Sequence, residues 1–325
     1  MWNTIGHEWA VSLLKRGVEI EQIAHAYLFL GPTNIGKTHL ALELAAALVC
    51  IGDVPPCGVC RACLRARQGI HPDVSLLEPQ GSRFGISQVR ELQGQLSLSP
   101  YEGRRRVSII TDFQLATSEA ANALLKTLEE PPSRVVIILT ATDASALLPT
   151  IISRCQVFFL RRVAREQIER ALIERWNQPP ELARVLAHLS AGRAGWAIRA
   201  AQDPSMLAER RQHIEELVRV LGQGRSERLQ IAEALSQRED LPEILRLWQT
   251  WWRDILLVAS GCDELTTNVD YAEILGNQAQ RHGLRQAQAA ICSIESTLQQ
   301  LDHNVNARLA LDVLLLGWPR GAQPA

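Results

Sequence analysis

Residues 31–38 combine glycines, a lysine and a threonine at the spacing of a phosphate-binding loop. They read Gly-Pro-Thr-Asn-Ile-Gly-Lys-Thr and fit the pattern G-x-x-x-x-G-K-[ST]. Gly31 and Gly36 let successive backbone N–H groups turn toward an anion, and the dipole of a following helix favours negative charge there. Lys37 would then reach the β- and γ-phosphates, and Thr38 would bind Mg²⁺. The pattern predicts an ATP and Mg²⁺ site, with a loop of the same shape that binds no nucleotide as the alternative.

Hydrolysis at such a loop needs two acids at the end of a neighbouring strand, one to hold the metal and one to orient water. The apolar run 107–110 is followed by Thr111 and Asp112, so a single acid stands where two are expected. A lone strand-end aspartate is also common as a turn or cap residue. We therefore predict a loop that can bind nucleotide but lacks one of the two acids needed for hydrolysis.

Four of the seven cysteines lie in one short segment. They are Cys50, Cys57, Cys60 and Cys63, at the spacing C-x6-C-x2-C-x2-C. A C-x2-C turn points two sulfurs the same way, and four thiolates can close a tetrahedron around Zn²⁺. Because all four come from one segment remote from any catalytic acid, the pattern favours a structural zinc site; four unrelated thiols are the alternative. The isolated cysteines, which we interpret as small core residues, are Cys155, Cys262 and Cys292.

The elements that must position these residues change type along the chain. Apolar runs at 26–30, 74–77, 107–110 and 135–139 predict strands, and the segments 37–49 and 116–130 predict helices, the second ended by a Pro-Pro pair. Strands separated by helices indicate a parallel α/β sheet covered on both faces. After about residue 160, Leu, Ala, Arg, Gln and Glu recur at helical spacing. We predict an α/β P-loop domain at 1–162 with the zinc module at 50–63, a small helical domain at 163–207 and a larger helical domain at 208–325.

The composition is that of an ordinary globular protein. The chain has 325 residues, 46% of them apolar and 21% charged, with a formal net charge of −1. This balance argues against a surface that attracts nucleic acid throughout. No apolar segment is as long as a membrane span, and the N-terminus lacks a signal-peptide pattern, so we expect a cytoplasmic protein. Cysteines in a reducing compartment are more often thiols or metal ligands than disulfides.

Several stretches together resemble the AAA+ subunits of bacterial clamp loaders. These are residues 25–29, the loop 31–38 with the cysteine segment after its helix, the block 122–132, the triplet 153–155, and residues 251–254 and 304–311. The block reads Asn-Ala-Leu-Leu-Lys-Thr-Leu-Glu-Glu-Pro-Pro and the triplet Ser-Arg-Cys, and both are highly specific for this group. The similarity covers essentially the whole chain and is greatest to the delta-prime branch of the family. It implies an AAA+ P-loop domain, a helical lid and an all-helical collar.

The family that this sequence resembles contains gamma/tau motor subunits and non-motor delta and delta-prime subunits. The sequence departs from the motor pattern at several positions. Thr111-Asp112 occupies the place of the motor's Asp-Glu pair, so threonine replaces the metal-binding acid. Gly195 falls where the motor has its sensor arginine, and Thr142 stands at the first sensor position. These departures imply that the chain's own ATPase activity is weak or absent, and they favour delta-prime over gamma/tau.

Arg154, in the Ser-Arg-Cys triplet, is the residue to which the resemblance gives a catalytic role. In the family, this arginine reaches across a subunit interface to the γ-phosphate of ATP bound by the neighbour. A guanidinium can span two phosphoryl oxygens with its rigid fork, which an ammonium cannot. Without the triplet, an ordinary salt bridge at the edge of the domain would be the simpler interpretation.

By resemblance, the partners are the gamma/tau and delta subunits of a hetero-oligomeric loader, with the sliding clamp and primer–template DNA reached through the complex.

Two other functions stay open: a gamma/tau-type motor ATPase, and a zinc-containing DNA-binding module on a P-loop scaffold. The role of Lys126 is also open. Trp248, Trp251 and Trp252 are spaced to share one helix face, and they fit packing core or a subunit interface better than a base-stacking platform.

Overall fold

The strands predicted from the apolar runs pair side by side in a parallel sheet. In the computed structural model, which describes residues 2–81, 83–303 and 305–319, the sheet has the order β2-β3-β4-β1-β5. Its strands are β1 (Ala26–Leu30), β2 (Val74–Leu77), β3 (Arg106–Ile110), β4 (Val135–Ala141) and β5 (Gln156–Phe159). All neighbouring pairs are parallel. The prediction missed β5, an edge strand whose apolar run, Val157–Leu160, is short and in which Gln156 and Phe159 are exposed.

Helices cover both faces of the sheet. Successive strand residues point to opposite faces, so Tyr27 and Phe29 join one apolar cluster while Leu28 and Leu30 join another. The first cluster includes residues of α1 (Glu8–Glu19), α2 (Lys37–Leu48) and α3 (Arg61–Arg67). The second includes residues of α4 (Ile86–Leu96), α5 (Ser118–Glu129) and α6 (Pro149–Ile152). This two-sided burial confirms the predicted α/β class and explains why the central strands are mostly apolar.

Local signals set the ends of α5. The Thr117 side chain caps its first turn by accepting a hydrogen bond from the N–H of Ala120 at 3.2 Å. The helix ends at Glu129, just before the Pro-Pro pair that was predicted to stop it. This end point matters because it places a carboxylate at the carboxyl end of the helix.

From residue 165 onward the described chain forms helices and no strands, as predicted. These helices are α7 (Arg165–Trp176), α8 (Pro180–Leu189), α9 (Ala194–Gln202), α10 (Ser205–Gly222), α11 (Arg225–Ser236), α12 (Leu241–Ala259), α13 (Ala272–Asp302) and α14 (Ala307–Gly317). Trp248, Trp251 and Trp252 lie on α12 and are fully buried. They pack in an apolar cluster with residues of α10, α11, α13 and α14. The packing-core interpretation of these tryptophans is confirmed.

The chain divides into two compact units. The first contains the described residues up to Ala171 together with Gly192–Trp196, and the second contains Leu172–Ala191 together with the described residues from Ala197 on. The division into three domains at 1–162, 163–207 and 208–325 stays a prediction, and residues 304 and 320–325 of the last lie outside the described part. Within that part, no helix combines the length and apolar character needed to cross a membrane.

Candidate nucleotide loop, metal centre and exposed arginine

The predicted phosphate loop connects the end of β1 to the start of α2. Gly31 has a φ of 154°, and a Cβ there would lie 2.4 Å from the carbonyl oxygen of Leu160, so only glycine fits. Gly36 is the residue before α2, and its backbone adopts a left-handed conformation with a φ of 110°. The strand–loop–helix context required of a phosphate loop is therefore present.

Lys37, at the start of α2, is directed into its own loop. Its Nζ donates hydrogen bonds to the carbonyl oxygens of Gly31 at 2.7 Å and Pro32 at 2.9 Å. The residue is only 6% exposed. Loss of hydration lowers the pKa of Lys37 to about 8, and the charge of Asp112 partly opposes this. Thr38 follows on the first helical turn and is half-buried.

Asp112 and Thr142 lie at the carboxyl ends of adjacent strands and are joined by a glutamine. The Asp112 N–H donates to Thr140 Oγ1 at 3.1 Å, and its Oδ1 accepts from Gln114 Nε2 at 3.3 Å. The Oε1 of the same Gln114 accepts from the N–H of Thr142 at 3.2 Å. Gln114 belongs to no motif and was therefore not predicted; its only signal in the sequence is a polar residue two positions after the strand-end acid. One acid and one amide therefore lie at these strand ends, and the charge of the acid acts on Lys37.

Thr111 is hydrogen-bonded within the sheet. Its side chain is buried, and its hydroxyl donates to the carbonyl oxygen of Leu77 at 3.3 Å. A neutral, buried hydroxyl engaged in this way supplies no charge for a divalent metal ion.

Gly195 lies against the phosphate loop. Its N–H donates to the carbonyl oxygen of Asn34 at 2.9 Å, and a Cβ at this position would lie 2.8 Å from the same oxygen. A side chain of any size would force the two segments apart. The position that the resemblance aligns with a sensor arginine therefore holds a close backbone contact and contributes no cation.

The four clustered cysteines converge on one point between α2 and α3. Their sulfur atoms all lie within 4.8 Å of one another, and the described cysteines form no disulfide. Backbone N–H groups point at three of the sulfurs: those of Gly52 and Cys57 at Cys50, that of Cys60 at Cys57, and that of Cys63 at Cys60. Such donors stabilise thiolates. The donor set, four sulfurs with negative charge supported by N–H groups, fits a tetrahedral Zn²⁺ site.

The pKa values of two thiols in this cluster are shifted in opposite directions. Hydrogen bonds from the backbone of Val59 and Cys60 lower the pKa of Cys57 to about 6. Burial raises the pKa of Cys63 to about 12. A bound divalent cation would hold both as thiolates, because its charge outweighs the cost of burying them.

The other cysteines do not share one environment. Cys155 and Cys262 are partly buried, whereas Cys292 is exposed. The interpretation of Cys292 as a core residue is therefore wrong. Cys292 lies on the solvent side of α13. A single cysteine in a helical segment does not indicate which side of the helix it occupies.

Arg154 lies just after α6 and is held by contacts outside the phosphate loop. Its Nη2 is 2.7 Å from Oε1 of Glu129 at the end of α5. Its Nη1 donates to the carbonyl oxygen of Thr150 at 3.0 Å. The side chain is 35% exposed. Among the described residues, the partners of Arg154 are Glu129, Thr150 and Ser153, so it is not tied to this chain's own phosphate loop.

Comparison with known proteins identifies the group to which these features belong. Two family models match, one described as DNA polymerase III, delta subunit, over residues 6–164, and one as DNA polymerase III, delta subunit, C terminal, over residues 204–320. DNA polymerase III subunit delta-prime of Bacillus subtilis is 30% identical over 94% of each chain. The delta-prime subunit of Pseudomonas aeruginosa is 33% identical over 91% of this chain and 92% of its own.

Tau subunits match a shorter region of the sequence. The tau subunit of Salmonella typhimurium is 37% identical, but over 52% of this chain and 27% of its own length. Among solved structures, a gamma subunit-related protein of Thermotoga maritima covers 93% of this chain and 97% of its own, at 20% identity and a TM-score of 0.48. The matches to delta-prime extend over nearly the full length, and those to tau over half. The chain belongs to the delta-prime subunit family of DNA polymerase III.

Proposed function

We propose that this chain is the delta-prime subunit of a clamp loader and supplies Arg154 in trans to the ATP site of a neighbouring gamma/tau subunit. The observation that carries the proposal is the position of Arg154. It is partly exposed in the α/β unit and hydrogen-bonded outside its own phosphate loop, at the place of the family's Ser-Arg-Cys triplet. An arginine in this role stabilises the charge that develops on the transferred phosphoryl group.

The chain's own loop is suited at most to binding ATP and Mg²⁺ through Gly31, Gly36, Lys37 and Thr38. Asp112 and Thr142 would face such a nucleotide from the neighbouring strand ends. This loop lacks groups needed for hydrolysis, because Thr111 is neutral and hydrogen-bonded within the sheet, and Gly195 has no cationic side chain. The intact loop is the one feature that favours a motor ATPase as the second candidate.

The remaining assignments follow from the family. Cys50, Cys57, Cys60 and Cys63 would hold a structural zinc ion, and the helices of 208–325 would form the collar that joins the gamma/tau and delta subunits. The sliding clamp and primer–template DNA would be reached through the complex rather than by this chain alone. A cytoplasmic location follows from the same assignment.

The test is an Arg154→Ala variant in a complex reconstituted with gamma/tau and delta subunits. ATP hydrolysis at the neighbouring site that Arg154 completes should slow by about a thousandfold or more. The total ATPase rate of the complex should therefore fall by the contribution of that site, while assembly stays intact. Arg170→Ala, which removes an exposed arginine on α7, is the control. Unchanged turnover would remove Arg154 from the mechanism, and ATP turnover by the isolated chain that Lys37→Ala abolishes would favour the motor alternative.

A further inference from the structure

The contacts of the Arg154 guanidinium use its two terminal nitrogens and leave Nε without a partner in the described chain. Nη2 pairs with Glu129, while Nη1 donates to Thr150 O and lies 3.4 Å from Ser153 Oγ. A guanidinium has five N–H groups. The contacts within the described chain therefore leave the Nε hydrogen and one Nη2 hydrogen for another acceptor. Nε and Nη2 together form one of the forks that bind carboxylate or phosphate oxygens in a bidentate manner.

Glu129 is placed where its carboxylate gains little from its own helix. It is the last residue of α5, and the dipole at a helix carboxyl end disfavours negative charge. Its side chain is 50% exposed, and Arg154 is its ion-pair partner. The backbone beneath it is fixed, because Leu124 and Leu128 of the same helix are buried under the sheet. Glu129 is thus a charged group on a rigid support, directed at Arg154.

We propose that Glu129 is a positioning residue for Arg154, and this inference rests on the proposed function. Together with the Thr150 carbonyl group, Glu129 fixes the plane of the guanidinium and leaves Nε and one Nη2 hydrogen for the phosphate of ATP on a neighbouring subunit. A free arginine side chain loses considerable rotamer entropy when it binds. Holding it beforehand removes part of that cost and improves alignment in the transition state.

The opposite effect, competition between Glu129 and the phosphate for Arg154, is disfavoured by the exposure of the pair. Ion pairs open to solvent are weak and screened by salt. A triphosphate carries more charge than one carboxylate, and the Nε of Arg154 has no partner in the described chain. Glu129 therefore orients Arg154 without withholding it.

The experiment compares Glu129→Ala, Glu129→Gln and Arg154→Ala in the reconstituted complex, with Glu130→Ala as the matched control. Glu130 is the next residue and is exposed, and its carboxylate makes no contact with Arg154 in the described chain. The measured quantity is the part of the ATPase rate that Arg154→Ala removes. Glu129→Ala should lower that part by about fivefold, the scale of an exposed ion pair, through kcat and with the KM for ATP unchanged. Glu129→Gln keeps an acceptor oxygen and should restore most of the rate.

The outcomes separate this inference from the proposed function. If Arg154→Ala lowers the rate while Glu129→Ala leaves it unchanged or raises it, the positioning role is overturned and the role of Arg154 stands. A fall of the same size with Glu130→Ala, or an effect on KM alone, also overturns it. If Arg154→Ala has no effect, the proposed function fails and the positioning role fails with it.

Discussion

Lys37 illustrates how a motif residue acquires properties that the motif does not contain. The pattern predicts a lysine at the mouth of a phosphate loop, and the structure adds that the ammonium is buried against the carbonyl groups of Gly31 and Pro32. Burial of a charge costs free energy even when hydrogen bonds satisfy its donors. That cost is the reason for its lowered pKa.

The lowered pKa makes stability depend on pH in a defined direction. In the unfolded chain Lys37 titrates near 10.4, and in the folded chain it titrates at about 8. Between these values the unfolded state binds more protons, so stability rises with pH across this window. Relative to Lys37→Met, the wild-type chain should gain about 2 kcal/mol of unfolding free energy between pH 7.5 and pH 10, as measured by urea denaturation without nucleotide.

Lys15→Met is the control for this measurement, because Lys15 is half-exposed on α1 and should show no such dependence. If the two variants follow the wild type in parallel over the whole pH range, Lys37 is not desolvated in solution.

The cysteine segment is an insertion whose order depends on a group of four side chains. It connects α2 to α3, and Cys60 caps the start of α3 by accepting from the N–H of Cys63. Exposed apolar residues surround the cysteines, among them Ile51 at 72%, Val54 at 68% and Val59 at 81% exposure. A segment that buries so little apolar surface needs another source of stability, which a metal ion can supply.

Metal analysis tests this directly. The purified chain should carry about one zinc ion, and Cys60→Ser should reduce the metal content and make residues 50–63 susceptible to protease. Cys292→Ser changes an exposed, isolated thiol and should leave both unchanged. A wild-type preparation without metal, with the segment equally resistant to protease, would contradict the zinc assignment.

At the scale of the whole molecule, the chain has separate apolar cores in its two compact units. The second core contains Trp248, Trp251, Trp252 and Trp318, and Trp252 packs against Trp318 with ring centroids 5.7 Å apart. Large buried side chains of this kind contribute several kcal/mol each. Tryptophan fluorescence should therefore report mainly on unfolding of the second unit.

Two core variants should act on different units. Trp252→Ala should destabilise the second unit by about 3–5 kcal/mol, and Leu124→Ala on α5 should destabilise the α/β unit by about 2–5 kcal/mol. Hydrogen exchange followed by mass spectrometry should locate the loss of protection in the unit that carries the substitution. Equal loss of protection in both units for either variant would contradict independent cores.

The sequence by itself determined the features whose signals are local. Apolar runs, a Pro-Pro stop, the G-x-x-x-x-G-K-[ST] loop and closely spaced cysteines depend on neighbours along the chain, so four of the strands, the stop of α5 and the cysteine cluster could be predicted. The change to helices after residue 160 was predicted from spacing for the same reason.

Only the tertiary structure decided the contacts between residues far apart in the chain. Glu129 meets Arg154 because α5 and α6 end beside each other, Gln114 links Asp112 to Thr142 because β3 and β4 are adjacent, and Gly195 rests on Asn34. The edge strand β5 was identified from its pairing with β1. Such contacts depend on how the elements pack, since residues distant in sequence leave no shared local pattern; the triplet could point to Arg154, but its contact with Glu129 could be identified only from the fold.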